Sequence, residues 1–290
     1  MNYLHHYHAG NFADVLKHTL LIQLIRGLQR KERGLLYLDT HAGRGLYDLT
    51  SASQGDRLDR QPEWPQGIGR LWTASDLPSP LSEYVALVRA CDAKHGGAPD
   101  SASPSRYPGS PLLAHVLARP QDRLALCELH TDEVVALRRA LPPSRRPSVR
   151  ELDGYSALRA MLPPLERRAL VLIDPPFETQ DEYANILDGL AEGLQRLPGG
   201  TFAVWYPLTE RARNEDFFSG LRSLRLPPTW TVELTVADEE SPLKMRGCGL
   251  LVLNPPWQID SEIIPWLPAL AELLAQYPGA NADLRWLVHE

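Results

Sequence analysis

Four consecutive residues, Asp174-Pro175-Pro176-Phe177, end the apolar run 169–174 and are the best equipped in the chain for chemistry. Prolines lack a backbone N–H and hold the chain extended, so carbonyl oxygens there point outward. The Asp174 carboxylate and the Pro175 carbonyl make a pair of acceptors, and Phe177 offers a flat ring to a planar partner. Such an array suits methyl transfer onto a conjugated exocyclic amine, with the amino group of adenine as the leading example. That nitrogen's lone pair is delocalised into its ring. The acceptors must therefore orient the N–H bonds and carry away charge as the nitrogen pyramidalises. No covalent intermediate on the protein is required. The structural alternative is a strand-ending turn with a helix N-cap.

A second copy of the pattern, Asn254-Pro255-Pro256-Trp257, is a rival, because the Asn form also occurs in methyltransferases, including glutamine-modifying ones. Order along the chain favours Asp174, which follows a strand able to lie beside the glycine loop of the first strand. Asn254 follows the last strand and reads as structural or as a wall of a cleft. The glycine loop is Asp39-Thr40-His41-Ala42-Gly43-Arg44-Gly45. Gly43 and Gly45 let backbone approach a ligand and turn N–H groups toward it. The third glycine of a dinucleotide loop is missing, since position 48 is Asp48, which favours S-adenosylmethionine over NAD. Glu128 ends the second run, where a carboxylate can accept from two ribose hydroxyls; a solvated strand end is the alternative. Asp153-Gly154 opens a helical stretch after the third run, as an N-cap or as a contact to the cofactor's adenine.

These residues need elements to position them. Apolar runs at 35–39, 123–128, 147–151, 169–174 and 201–206 are mostly continuous, as suits strands buried on both faces of a parallel sheet. Helical patterns at 131–140, 155–162 and 183–196 separate the later ones, giving a βαβ rhythm. Runs 229–236 and 249–254 lie too close together for a parallel crossover, so they must pair antiparallel. The expectation is an α/β, class I (Rossmann-like) methyltransferase fold: a mostly parallel seven-stranded sheet with an antiparallel last strand. Helical patterns near 81–95 and 111–118 flank a Gly/Pro/Ser-rich stretch. They place an inserted helical subdomain at 51–106, leaving 1–50 and 107–290 as the methyltransferase domain. An amphipathic helix over 13–30 brings Asp14, Lys17 and His18 onto one face, either as a polar site face or as a solvated one.

The 290 residues carry a net charge of −6, which argues against wholesale coating of nucleic acid but not against a local basic face. Arginines cluster at 138–168, yet Arg145, Arg146, Arg167 and Arg168 precede strands and so fall at the amino edge of the sheet. Lys17, Arg44, Lys244 and Arg246 are better placed to guide a substrate. His5, His6, His8 and His18 match no metal-ligand spacing, so no metal is expected. Neither a membrane span nor a signal peptide is read, and the three cysteines form no CxxC pair. A cytoplasmic protein is expected.

Assembled, these features resemble the RlmJ family, bacterial 23S ribosomal RNA adenine-N6 methyltransferases. The match runs through Tyr3, His8-Ala9-Gly10-Asn11, 13–18, 36–43, Tyr107-Pro108-Gly109-Ser110-Pro111, the Asp174 motif, Trp205-Tyr206-Pro207 and the Asn254 motif. The resemblance implies that His18, His41, Ser110, Glu128, Asp153 and Gly154 line an S-adenosylmethionine site, with S-adenosylhomocysteine as product. It implies that Asp174 meets the target amino group and that Tyr3 and Lys17 belong to an N-terminal substrate motif. It also implies a monomer acting on protein-free 23S ribosomal RNA. Phe177 departs from the family's usual Tyr, keeping the ring and losing the hydroxyl. A DNA adenine methyltransferase, a non-catalytic RNA-binding module and a dehydrogenase are the competing readings.

Overall fold

The computed structural model describes residues 7–52, 61–98, 101–142, 147–209 and 211–289. The chain opens with α1 (Phe12–Gln29), capped by Asn11, whose side chain accepts from the Asp14 N–H at 3.0 Å. β1 (Leu36–Asp39) leads into the glycine loop and the short β2 (Leu46–Asp48). There follow α2 (Leu49–Ala52), α3 (Ile68–Thr73), α4 (Ser79–Lys94) and β3 (Arg106–Pro108), then α5 (Ser110–Leu117). Alternation begins with β4 (Arg123–Glu128), α6 (Thr131–Ala140), β5 (Pro147–Glu151) and α7 (Gly154–Met161). It continues through β6 (Ala169–Ile173), α8 (Glu182–Arg196), β7 (Thr201–Pro207) and α9 (Arg211–Ser223). The chain closes with β8 (Thr229–Thr235), β9 (Gly247–Leu253), α10 (Ile259–Ile263), α11 (Leu267–Leu274) and β10 (Asn281–Val288).

The main sheet runs β10-β8-β9-β7-β6-β1-β4-β5. The pairs from β5 to β7 are parallel, and the pairs β7–β9, β9–β8 and β8–β10 are antiparallel. This is the class I methyltransferase arrangement, with β9 reversed between β7 and β8. The sheet has eight strands where seven were expected. The added β10 lies on the outer edge against β8 with all but one of its residues partly or fully exposed, so its apolar signal is weak. From β1 the chain moves outward to β4 and β5, then returns to β6 on β1's other side. The carboxyl ends of β1 and β6 are therefore the topological switch point, where ligands bind in such sheets. Asp39 pairs with Leu172 in that register, two residues before Asp174.

β6 reads Ala-Leu-Val-Leu-Ile and is buried throughout, because helices cover both faces. On one face α1, α3, α4, α5, α10 and α11 share a continuous apolar core; on the other α7, α8 and α9 do. Helices α3 and α4, from the stretch 51–106, share one apolar core with α1. Asp14, Lys17 and His18 are buried, so the solvated-face alternative for them is excluded. The short antiparallel pair β2–β3, not expected from the sequence, joins the two ends of the intervening stretch and brings Tyr107 beside the glycine loop, where the Gly109 N–H donates to the Gly45 carbonyl at 2.7 Å.

Candidate active site

Lys17, on the second turn of α1, sends its ammonium between two carboxylates: 2.8 Å from Asp14 Oδ1 and 2.6 Å from Asp174 Oδ2. Burial pulls the Lys17 pKa down, but Asp14 and Asp174 outweigh it and hold it well above the ordinary value. Lys17 is thus a fixed ammonium, a clamp on Asp174 that cannot serve as a base. Asp174 Oδ1 accepts no hydrogen bond among the described residues, and its side chain is 17% exposed. One carboxylate oxygen is therefore anchored and the other open. Asp14 Oδ2 accepts the Gly10 N–H at 2.9 Å, which ties this arrangement to the N-terminal segment.

The glycine loop brings further groups to the same edge. Asp39, fully buried, accepts hydrogen bonds from Tyr37 (2.8 Å) and Ser110 (2.7 Å) on Oδ2, while Oδ1 has no partner among the described residues. Burial pushes its pKa up to about 6 against the pull of those two hydroxyls. Because Ser110 gives its hydroxyl proton to Asp39, it faces the cleft as an acceptor. Thr40 Oγ1 donates to the Leu172 carbonyl, so the 2.8 Å contact with His41 puts the imidazole proton on Nδ1 and leaves Nε2 as an acceptor. Burial drops the His41 pKa to about 4, so the ring is neutral. The Glu128 carboxylate is oriented by the N–H groups of Gly43 and His130, each at 2.9 Å. Asp153 caps α7 through the Ser156 N–H at 2.7 Å, so capping and lining the cleft coexist. At Gly154 a Cβ would collide with the Thr40 carbonyl, so only glycine lets α7 approach the loop.

A cleft of about 1060 Å³ brings together Lys17, His18, His41, Gly43, Ser110, Glu128, Asp153, Asp174, Pro175 and Phe177. Gly154 packs behind it, and Tyr3 lies outside the described residues. His18 touches Tyr107 OH at 2.7 Å, and that hydroxyl meets Tyr84 at 2.9 Å. Phe177 has φ +51°, a strained conformation for a bulky side chain. Its ring stands edge-on to Tyr183 (5.1 Å) and Trp205 (5.6 Å). Leu243 and Met245 continue this apolar half of the cleft.

Sequence reasoning missed Asp39 as a site group, although its place at the end of β1 was a usable signal. It also missed Tyr155 and Glu182, joined at 2.6 Å across the cleft wall, for which no local pattern speaks. Asn254 lies at the opposite edge. Its side chain donates to the carbonyls of Pro198 (2.8 Å) and Gly200 (2.9 Å), so it is structural and not a cleft wall. Arg168 likewise ties down the Leu28 and Arg33 carbonyls at the amino edge.

The family model described as ribosomal RNA large subunit methyltransferase D, RlmJ, matches residues 32–288. The chain is 38% identical to ribosomal RNA large subunit methyltransferase J of Escherichia coli (strain K12), over all 290 residues and the whole of that protein. It is 37% identical to the protein of the same name from Haemophilus influenzae, again over the full length of both. A crystal structure of a Legionella pneumophila protein, 36% identical, superposes with a TM-score of 0.81, covering 98% of this chain and 99% of that one.

Proposed function

The chain belongs to the RlmJ family of ribosomal RNA large subunit methyltransferases, and from that premise we propose that its cleft methylates the N6 amino group of one adenine in 23S ribosomal RNA. The enzyme is S-adenosylmethionine-dependent. When bound, that cofactor would supply a methyl group on a sulfonium.

The residues present fit the cofactor. Gly43 and Gly154 lie where backbone must come close, and Glu128 presents an oriented carboxylate suited to a ribose diol. Asp153, Ser110 and His41 Nε2 add acceptors, so this half of the cleft is matched to a ligand rich in donors and positive charge. In this reading Asp174 Oδ1 and the Pro175 carbonyl would accept the two N–H bonds of the target amine and orient its lone pair out of the ring's conjugation. Lys17 holds the Asp174 carboxylate in that orientation. The proton shed by the methylated nitrogen passes to Asp174 Oδ1. Phe177, with Tyr183 and Trp205, provides the apolar walls for a base turned out of its stack.

The observation that carries the proposal is Asp174 at the switch point, with one oxygen clamped by a buried ammonium and the other open to the cleft. The reading includes Tyr3 as a substrate contact and a monomeric, cytoplasmic enzyme acting on protein-free RNA. Among the described residues no helix is long and apolar enough to cross a membrane. The test is mass spectrometry of ribosomal RNA from a strain lacking the gene. One N6-methyladenine should vanish and return with the wild-type gene but not with Asp174→Ala. An unchanged modification pattern would refute the substrate, and methyl incorporation into DNA in preference to RNA would redirect it.

A further inference from the structure

The four cations suited by sequence to guide a substrate part company in the fold. Lys17 is enclosed between Asp14 and Asp174. Arg44 is closed onto Glu133 by two hydrogen bonds of 2.9 and 2.5 Å. Arg246 donates to the Glu239 carbonyl within its own loop. Lys244 alone of the four is exposed, lines the cleft, and makes no hydrogen bond or ion pair among the described residues.

Its loop, 236–246 between β8 and β9, is held in place. The Val236 N–H bonds the Arg246 carbonyl at 2.8 Å, closing the loop's base. The Gln276 and Tyr277 N–H groups both donate to the Val236 carbonyl, and Asp238 N–H donates to Pro278. Leu243 and Met245 pack against the core on either side of Lys244. The ammonium therefore sits on an anchored rim beside the apolar half of the cleft, where Phe177, Trp205 and Met245 lie.

Acidic groups dominate the cleft's interior: Asp14, Glu128, Asp153, Asp174 and Glu182 line it, and among the described residues Lys17 is the one buried lysine there, with Arg44 and Arg213 less buried on its lining. A polyanionic strand cannot follow a base into such a space without severe repulsion. The base must enter while its phosphates stay at the rim, and a cation is needed there to meet them. Lysine suits the task as a mobile point charge with three donors. We propose that Lys244 binds the backbone phosphate adjoining the target adenosine and so positions the RNA strand at the mouth of the cleft. This rests on the RNA-methylation reading above and assigns the partner of that site's rim.

The test compares wild type, Lys244→Gln and Lys244→Arg on an unmodified 23S ribosomal RNA fragment across a potassium chloride series. Methyl transfer and equilibrium binding by fluorescence anisotropy are both followed. Lys244→Gln should raise KM and Kd for the RNA about three- to sixfold near 0.15 M salt, and flatten the log–log salt slope by roughly 0.7–0.9, the value of one phosphate contact. Lys244→Arg should restore most of the slope, and S-adenosylmethionine affinity by calorimetry should stay at the wild-type value in both. Wild-type KM and slope in Lys244→Gln would overturn the proposal. So would equal impairment of the Gln and Arg variants with the wild-type slope, which marks a disturbed loop. RNA binding with a Lys244-dependent slope but no methyl transfer by wild type would refute the reaction and leave the contact standing.

Discussion

Two Pro-Pro-aromatic segments sit at opposite edges of one sheet, and helix α1 touches both. At the carboxyl edge Lys17 clamps Asp174; thirteen residues on, Arg30 reaches the Trp257 carbonyl at 3.3 Å, and Gly27 packs against Pro256. Strand direction separates them. β6 runs parallel to β1 and delivers its end to the switch point. β9 runs against β7, so its end comes back beside the start of β7, at residues 198–201. The residue before the prolines matches its surroundings. Asn254 has an amide to give to two carbonyls and tolerates its φ of +49°. Asp174 has only acceptors, and the site leaves one of them open. A shared sequence pattern becomes a site or a brace according to the edge it is carried to.

The largest expected contrast lies between these two residues. Asp174→Asn keeps the shape but replaces one acceptor with a donor aimed at the substrate's own N–H. Methyl transfer should fall by about 10²–10³-fold, the scale of losing one oriented transition-state contact. Cofactor affinity by calorimetry should change little. A rate within a fewfold of wild type would break the contrast.

The second contrast is one of proton binding. Asp39, at the site edge, has its pKa pushed up to about 6 by burial, from an unfolded value of 3.8. The contribution of such a group is fully present below pH 4 and lost as pH rises through 6, on the order of 2–3 kcal/mol. Asp122, at the amino edge, is buried as well, but Arg119 and the Leu35 N–H outweigh that cost and hold its pKa low. Its contribution is present above pH 4 and lost on acidification. In urea titrations between pH 2 and 7, Asp39→Asn should therefore gain on wild type as pH rises from 4 to 6, whereas Asp122→Asn should lose on wild type as pH rises toward 4 and hold level above it. Parallel pH curves for the two variants would sink this reading. His41, depressed to about 4, opposes Asp39 across the same window, because its contribution fades as pH falls from 6.5.

How much of this was legible beforehand follows the same division. The parallel strands, the antiparallel pair, the glycine loop and the Asp174 motif are local signals, and each stands where expected. The fate of α1 is not local. Its apolar period suggests one buried stripe, but α4 and α10 pack against it as well. Lys17 thereby becomes a buried clamp, 157 positions from its partner. β10 escaped notice because edge strands need little apolar signal. Asp39's ionisation depends on Tyr37, Ser110 and total burial, which only the folded arrangement brings together.

Next in size is the brace itself. Asn254→Ala removes both side-chain hydrogen bonds and puts a Cβ residue with no polar side chain in the left-handed region. Stability should fall by about 2 kcal/mol, read from urea unfolding. Methyl transfer measured well below the melting transition should stay at the wild-type level. A kinetic defect exceeding the stability loss would make this motif part of the site after all.

The smallest effect tests whether an ion pair at the carboxyl-edge end of α1 differs in kind from one at its C-cap. Arg30 binds Glu262 through two hydrogen bonds of 2.5 and 2.6 Å, so by distance it rivals Lys17 with Asp174. Both partners, however, are nearly half exposed, at 46% and 47%, where solvent screens the attraction and side-chain ordering offsets what remains. Arg30→Met keeps the aliphatic stem and should cost under about 1 kcal/mol, with that small cost shrinking further in 0.5 M salt. The Trp257 carbonyl it releases turns to water. Lys17→Met would instead leave buried Asp14 and largely buried Asp174 facing each other without their ammonium, a loss that salt screens far less. A comparable cost at both ends, or a salt-insensitive loss at Arg30, would mean that burial does not separate the two edges.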